Sequence, residues 1–390
     1  MKITCRLLTS FVLMLLALAS LSFAAGAKNG KYLFFVGTYT EQGSQSKGIY
    51  SYRYDAATHE VTPLGLAAET TNPSFVAVSP NGKFLYAVNE LGNYKGPNSG
   101  GVSAFSIDHS NGKLTFLNEV QSRGAGPCYI SVDKTGKWVL VANYDGGSVA
   151  VFPVQADGKL GEASSFLQHT GHGANPQRQE APHAHSIDLS PDNRFAFVDD
   201  LGLDELLVYK FDSAKGTLTP NDPPYAKVDP GSGPRHFALA PSGKFAYVVS
   251  EIKGTVTVFS VDLSKGALHK LQAVSTLPDG FKGDIEDAEV AVHPSGKFLY
   301  ASNRGDGNSI AVFSIDPSKG TLTRIDITPT QGKAPRHFAI DPTGTRLFAE
   351  NMSSNNIVEF QIDQKTGKLT PTGKTLEIGQ PVCLKFVKVE

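Results

Sequence analysis

The chain has 390 residues, with 36 Lys and Arg against 37 Asp and Glu and a formal net charge of −1. That balance gives no field for holding nucleic acid or an anionic membrane surface, while the length is enough to bury a large core. Thirty-nine glycines and 23 prolines fit many tight turns between short strands.

The first segment, 1–27, reads as an export signal. Lys2 and Arg6 precede an apolar stretch from Leu7 to Phe23, and the small residues Ala24, Ala25, Gly26 and Ala27 follow. The apolar run is shorter than the roughly 20 residues that cross a membrane. Cleavage near Ala24 to Ala27 is expected, leaving a periplasmic or secreted protein with no membrane attachment. Cys5 lies before the apolar core, too early for a lipid anchor. Removal of the signal leaves Cys128 and Cys383. They fall in non-adjacent repeats, beyond the roughly 7 Å between Cα atoms that a disulfide spans. Both are expected as buried free thiols that act as small apolar side chains.

Residues 28–390 read as a single domain made of repeats. One phrase returns seven times: a turn residue, a basic or aromatic pair, a short apolar run, then a polar residue. Its copies begin at Gly30, Gly82, Gly136, Asn193, Gly243, Gly296 and Gly344. The spacing of roughly 50 residues is that of propeller blades. The second copy gives the unit. A strand is expected from Pro73, a turn at Ser79 to Gly82, a strand from Lys83 to Asn89 and a third from Gly101 to Asp108. Asn111 and Gly112 then make a hairpin turn, and Leu114 begins the fourth strand. Four antiparallel strands make a propeller blade. The domain starts on a second strand, Lys31 to Val36, and ends on a first strand, Pro381 to Val387. The predicted fold is therefore an all-β seven-bladed β-propeller of four-stranded antiparallel blades, with the C-terminal strand completing the first blade and closing the ring. Closure limits exposed sheet edges. Two long connections, Asn89 to Gly100 and Leu167 to Pro182, are expected to form lips over a site.

The repeats also align the chain against itself. First strands line the channel of a propeller, and their starts lie beside the ends of the second strands at one mouth. The starts in chain order are Ser74, Cys128, His185, Arg235, Ala288, Arg336 and Val382. The residues just past the second strands are Tyr39, Glu90, Tyr144, Leu201, Glu251, Arg304 and Met352. Ser, Cys, Ala and Val suffice at several starts, so the fold does not require His185, Arg235 or Arg336. Guanidinium forks match anionic oxygens or an oxyanion formed in a reaction, and His185 or Glu251 can move a proton. An Arg235–Glu251 pair within one blade is also a sufficient structural ion pair, but the concentration at one mouth favours a ligand site. His236 and His337 come one residue later and are expected to point away from the channel, as core or supporting groups. His183 shares the face of His185. Gly171-His172-Gly173 and the histidines around Pro182 have no zinc spacing. The acidic run Asp284 to Glu289 offers oxygen ligands of the kind calcium takes, but reads rather as a solvated loop. No nucleophile-elbow motif is present.

The phrases Pro182-His-Ala-His185-Ser, Gly233-Pro-Arg235-His-Phe, Val249-Ser-Glu251, Ala288 through Gly305 and Pro335-Arg336-His-Phe resemble, in order and spacing, the seven-bladed propeller lactonase family. That family includes the propeller-type 6-phosphogluconolactonases and the fungal carboxymuconate cyclase. The resemblance covers essentially all of 28–390. It implies lactone hydrolysis, with His185, Arg235, Glu251 and Arg304 as catalytic groups and Arg336 as a further anion ligand. It implies no metal and no other cofactor. Glu90, Tyr144 and His183 are expected to contact the substrate, a small lactone, in a monomeric protein. The chain departs from cytosolic members in its export signal, which makes an unphosphorylated aldonolactone a competitor for the sugar-phosphate lactone. Two alternatives use the same residues differently: a carboxymuconate cyclase or isomerase reaction, and a binding propeller without turnover.

Overall fold

The computed structural model describes residues 30–41 and 43–389; the expected export segment, 1–27, lies outside them. Seven four-stranded antiparallel sheets follow one another. Their inner strands are Val76–Val78, Pro127–Val132, Ala184–Leu189, Pro234–Leu239, Asp287–Val292, Pro335–Ile340 and Pro381–Lys388. Each inner strand packs on the next, and the last packs on the first, so they enclose a channel. Closure is as expected. Lys31–Thr38 pairs antiparallel with Pro381–Lys388, in a register running from Tyr32 opposite Lys388 to Gly37 opposite Cys383. The inner strand expected from Pro73 is shorter, beginning at Val76; Pro73 has no N–H to donate, and the Ser74 amide is spent on the Asn72 carbonyl at 2.8 Å.

The repeated phrase has a packing cause. Its first aromatic lies on a glycine in the outer hairpin of the next blade. A Cβ on Gly320 would stand 2.3 Å from the Phe245 ring, and one on Gly216 would stand 2.1 Å from Trp138. Both glycines have positive φ, +71° and +64°, which they adopt without the steric cost a side chain brings. The tyrosine two residues on reaches the same hairpins: Tyr86 Oη donates to the Gly158 carbonyl, Tyr247 to Gly320 and Tyr300 to Gly367, at 3.1, 3.1 and 2.8 Å. Glycine and aromatic therefore recur together because each blade docks on its neighbour through them.

The inner strands depart from regular pairing at one place. In six of the seven sheets the ladder skips a residue near the strand start. The skipped residues are Cys128, His185, Arg235, Ala288 with Glu289, Arg336 and Val382. A β-bulge leaves its extra residue unpaired and re-aims side chains. The position singled out by comparing the repeats is thus the bulge position.

Candidate active site

The mouth is built from two strand termini. The final residue of the second strand is an amide in four blades. Asn89, Asn143, Asn303 and Asn351 donate Nδ2 to the carbonyls of Thr71, Ser122, Thr276 and Thr330. These bonds tie each blade to the end of the one before it and hold the next residue at the mouth. The bulged starts supply the other side.

Together they surround a cavity of about 300 Å³ lined by His185, Glu251, Arg304, Arg336, Glu90 and Tyr144. Two expected residues lie one layer back. Arg235 is 1 % exposed; its Nε donates to Glu251 Oε2 at 2.9 Å and its Nη1 to the Ala288 carbonyl at 2.6 Å. His183 stacks on Tyr144 with ring centroids 4.5 Å apart and sets Nδ1 3.1 Å from the Tyr144 carbonyl oxygen. Comparing the repeats set Tyr39 and Cys128 at the mouth without giving either a role, and did not single out Asp145, Arg178 or Glu286; all five line the cavity. Arg178 comes from the long connection expected as a lip. Its Nη2 donates to Glu251 Oε1, so loop length was a true signal that stopped short of a residue.

Glu251 is the electrostatic centre. Three guanidiniums meet its carboxylate: Arg178 on Oε1, and Arg235 and Arg304 on Oε2 at 2.9 and 2.8 Å. Burial alone would push its pKa up, but Arg304, Arg235 and Arg178 outweigh that and hold it down to about 2. A carboxylate so stabilised is a poor base. Burial, then Arg235, His236 and Arg336, keep the His185 imidazole well below its ordinary 6.5. It is therefore unprotonated at neutral pH and can accept a proton, with a basicity that the same surroundings lower. Its Nδ1 lies 3.7 Å from Cys128 Sγ. That thiol is raised by burial, so it stays protonated. At the far wall Tyr39 Oη donates to both Glu90 oxygens, and Arg336 stands 4.0 Å from Glu90 Oε2.

Two expectations are corrected. His236 and His337 do not point away from the channel. Phe75, on the second blade, lies 5.7 Å from the His236 ring and 5.6 Å from the His337 ring, and Tyr129 lies 5.0 Å from His236. Contacts between non-adjacent blades cross the channel. The bulge breaks strict alternation, so residues on both sides of it face the axis. The acidic run is a solvated loop only at its start, where Asp284 is exposed. Asp287 and Glu289 are buried on an inner strand, and Glu286 reaches the cavity, 3.8 Å from Arg304 Nη1. Asp287 Oδ2 accepts from the Thr276 hydroxyl at 2.8 Å, and burial raises the Asp287 carboxyl well above the usual range. Cys128 and Cys383 are free and buried, as expected. Among the described residues no group of three or more His, Cys, Asp or Glu is arranged to hold a metal ion. Among them, too, no helix is long and apolar enough to cross a membrane.

The chain is similar to known proteins over most of its length. The profile of the family described as lactonase, 7-bladed beta-propeller, matches residues 33–386. The chain is 39 % identical to the 6-phosphogluconolactonase of Bacillus subtilis, over 92 % of this chain and 99 % of that one. It is 38 % identical to the 6-phosphogluconolactonase of Formosa agariphila, over 90 % and 98 %. The structure of the periplasmic gluconolactonase of Pseudomonas aeruginosa superposes with a TM-score of 0.86 at 36 % identity, covering 92 % of this chain and 100 % of that one.

Proposed function

Since the chain belongs to the seven-bladed β-propeller lactonase family and is a lactone hydrolase, we propose that it opens an unphosphorylated aldonolactone in the cavity at the channel mouth. The observation that carries this reading is the convergence of His185, Glu251, Arg304 and Arg336 on one cavity. Water attacks the lactone carbonyl carbon while His185 takes its proton. The carbonyl oxygen becomes an oxyanion beside the Arg304 guanidinium, which Glu251 holds in place. Collapse breaks the ring carbon–oxygen bond, and the His185 proton passes to the departing ring oxygen. The product is the open-chain hydroxy acid. Arg235 acts as a positioning residue through Glu251. Arg178 and Arg336 complete the polar wall, with Glu90, Tyr144 and His183 shaping the substrate's side of it.

Charge balance supports a neutral substrate. The guanidiniums on the cavity wall all have carboxylate partners: Arg178 and Arg304 on Glu251, and Arg336 beside Glu90. Glu286 and Asp145 add further carboxylates. A phosphate dianion would have to displace one of these pairs, whereas sugar hydroxyls can donate to the carboxylates already there. We extend the reading to export of the chain with loss of 1–27, leaving 28–390 as one propeller; the periplasmic gluconolactonase among its structural relatives fits that location. The test is acid release from δ-gluconolactone, its 6-phosphate and a carboxymuconate lactone, with wild type and His185→Gln. Hydrolysis of the neutral lactone that falls at least a hundredfold in the variant is expected. A protein inert on every lactone, yet retaining a partner in pull-down, would make it a binding propeller.

A further inference from the structure

The mouth has two compartments. Beside the catalytic cavity lies a second of about 410 Å³, bordered by Glu41, Asn72, Met352 and Gln380. The two share a wall made by Tyr39, Glu90 and Arg336. That wall is held by its own bonds. The Tyr39 hydroxyl donates to both oxygens of Glu90 at 3.0 and 2.9 Å, and the Arg336 guanidinium lies over the Tyr39 ring, 5.4 Å from its centroid. Ligand sites occupy about 300–1,000 Å³. The catalytic compartment alone sits at the bottom of that range, room for one small lactone. With its neighbour, the mouth reaches the middle.

The chemistry of the outer compartment narrows its occupant. Asn72 is spent inside the protein. Its Oδ1 accepts from the Thr40 amide and hydroxyl, and its Nδ2 donates to Glu41 Oε2. What remains for a ligand are the carboxylates of Glu41 and Glu90, the Gln380 amide, the Tyr39 ring and the Met352 side chain. Two carboxylates face one guanidinium there, so a phosphate would be repelled. Acceptors for hydroxyl groups beside an aromatic ring and a thioether suit a neutral sugar ring, which has donors around its edge and C–H faces above and below.

We propose that the outer compartment is a subsite for a second sugar ring, so that the favoured substrates are glycosyl-aldonolactones, with the lactone in the catalytic compartment and the glycosyl unit beyond the Tyr39–Glu90–Arg336 wall. This rests on the lactonase reading above and names the substrate class of that site. The experiment measures kcat/KM by acid release for δ-gluconolactone, its 6-phosphate and the δ-lactone of cellobionic acid. Cellobionolactone should exceed gluconolactone at least tenfold. In Met352→Trp, whose indole occupies the outer compartment, the ratio of those two values should drop at least tenfold. Met352→Phe gives the same comparison should the larger ring prevent folding, and wild type alone decides the first part. The proposal is overturned by a cellobionolactone value no better than that of gluconolactone, by a preference for the 6-phosphate over both, or by an unmoved ratio in a variant that melts like wild type. Failure of all three lactones would overturn the lactonase reading itself, and this subsite with it.

Discussion

Arg304→Ala is the sharpest test of the proposed chemistry, because its effect can be separated from that of its partner. Arg304 lines the cavity, and its Nη2 lies 2.8 Å from Glu251 Oε2. Loss of one preorganised donor to an oxyanion lowers kcat by about 10²–10³, or about 2.7–4 kcal/mol. A rival explanation is that the variant acts by protonating Glu251. The sign can be worked out. Removing one of the three guanidiniums lets the Glu251 pKa rise from about 2 toward its ordinary 4.5. Even a full return leaves it ionised near neutral pH, so a loss measured there belongs to the guanidinium. Stability should fall by less than the about 3–5 kcal/mol typical of a wholly unpaired buried charge, because Arg235 and Arg178 still hold Glu251. The assay is steady-state acid release near neutral pH, with thermal melting alongside. A kcat within threefold of wild type refutes the oxyanion role. A rise in KM with kcat unchanged refutes it equally, since that pattern marks uniform binding rather than transition-state stabilisation.

Glu251→Gln should be the costlier change for the fold: it leaves Arg235 buried without its carboxylate partner and Arg304 with only Glu286 at 3.8 Å, a loss of about 3–5 kcal/mol at neutral pH. Because the folded pKa of Glu251 is depressed to about 2, its contribution is fully present above 4.5 and disappears as pH falls toward 2; a wild-type-to-variant gap in denaturant stability that does not narrow over that window contradicts the assignment. With His185 held well below 6.5, kcat/KM should stay level as pH falls to 6.5, and its acid limb should lie well below that; a limb centred at 6.5 or above would exclude His185 as the base in this environment. The buried thiols of Cys128 and Cys383 are both raised, so a disulfide reagent should find no reactive thiol in the folded protein. After unfolding it should find two in the exported chain, and a third, from Cys5, would mean the signal was kept.

The repeat made the fold legible because its causes are local. In five of the phrases the aromatic needs a glycine in the next hairpin, as Phe245 needs Gly320, and so both recur at a fixed spacing. The site was legible for the opposite reason: His185, Arg235 and Arg336 break the repeat where other blades carry Ser, Ala or Val. What could not be read is what depends on register and on loops. Strict alternation puts His236 on the far face, but the skipped partner at Arg235 turns both residues toward the axis, and nothing in the two residues' identities announces a bulge. Arg178 sits in an irregular connection with no sister copy, so its landing on Glu251 had no internal alignment to reveal it. Asp287 stands where five other blades have proline and was hidden inside a run of acids; only the strand start at Asp287 separates it from its solvated neighbours.

The bulge also explains how a propeller can carry so many charges at its centre. Arg235 is nearly inaccessible, yet its bonds run in two directions. Toward the mouth, Nε donates to Glu251. Toward the channel, Nη1 donates to the Ala288 carbonyl on the next bulged start and lies 3.3 Å from His236 Nε2. An arginine only donates, so His236 Nε2 accepts and its proton sits on Nδ1, facing Glu289 Oε2 at 2.9 Å. Glu289 is in turn 3.4 Å from His337 Nε2, and His337 Nδ1 meets Glu350. A regular ladder would hide that carbonyl in strand pairing and send alternate side chains away from the axis. With the ladder interrupted near the inner-strand start in six of the seven blades, adjacent side chains and a freed carbonyl reach one another across strands. Charge burial, costly for an isolated group, is then compensated along a continuous chain. The orientation of the Glu251 carboxylate is fixed by groups on three blades rather than by its own strand.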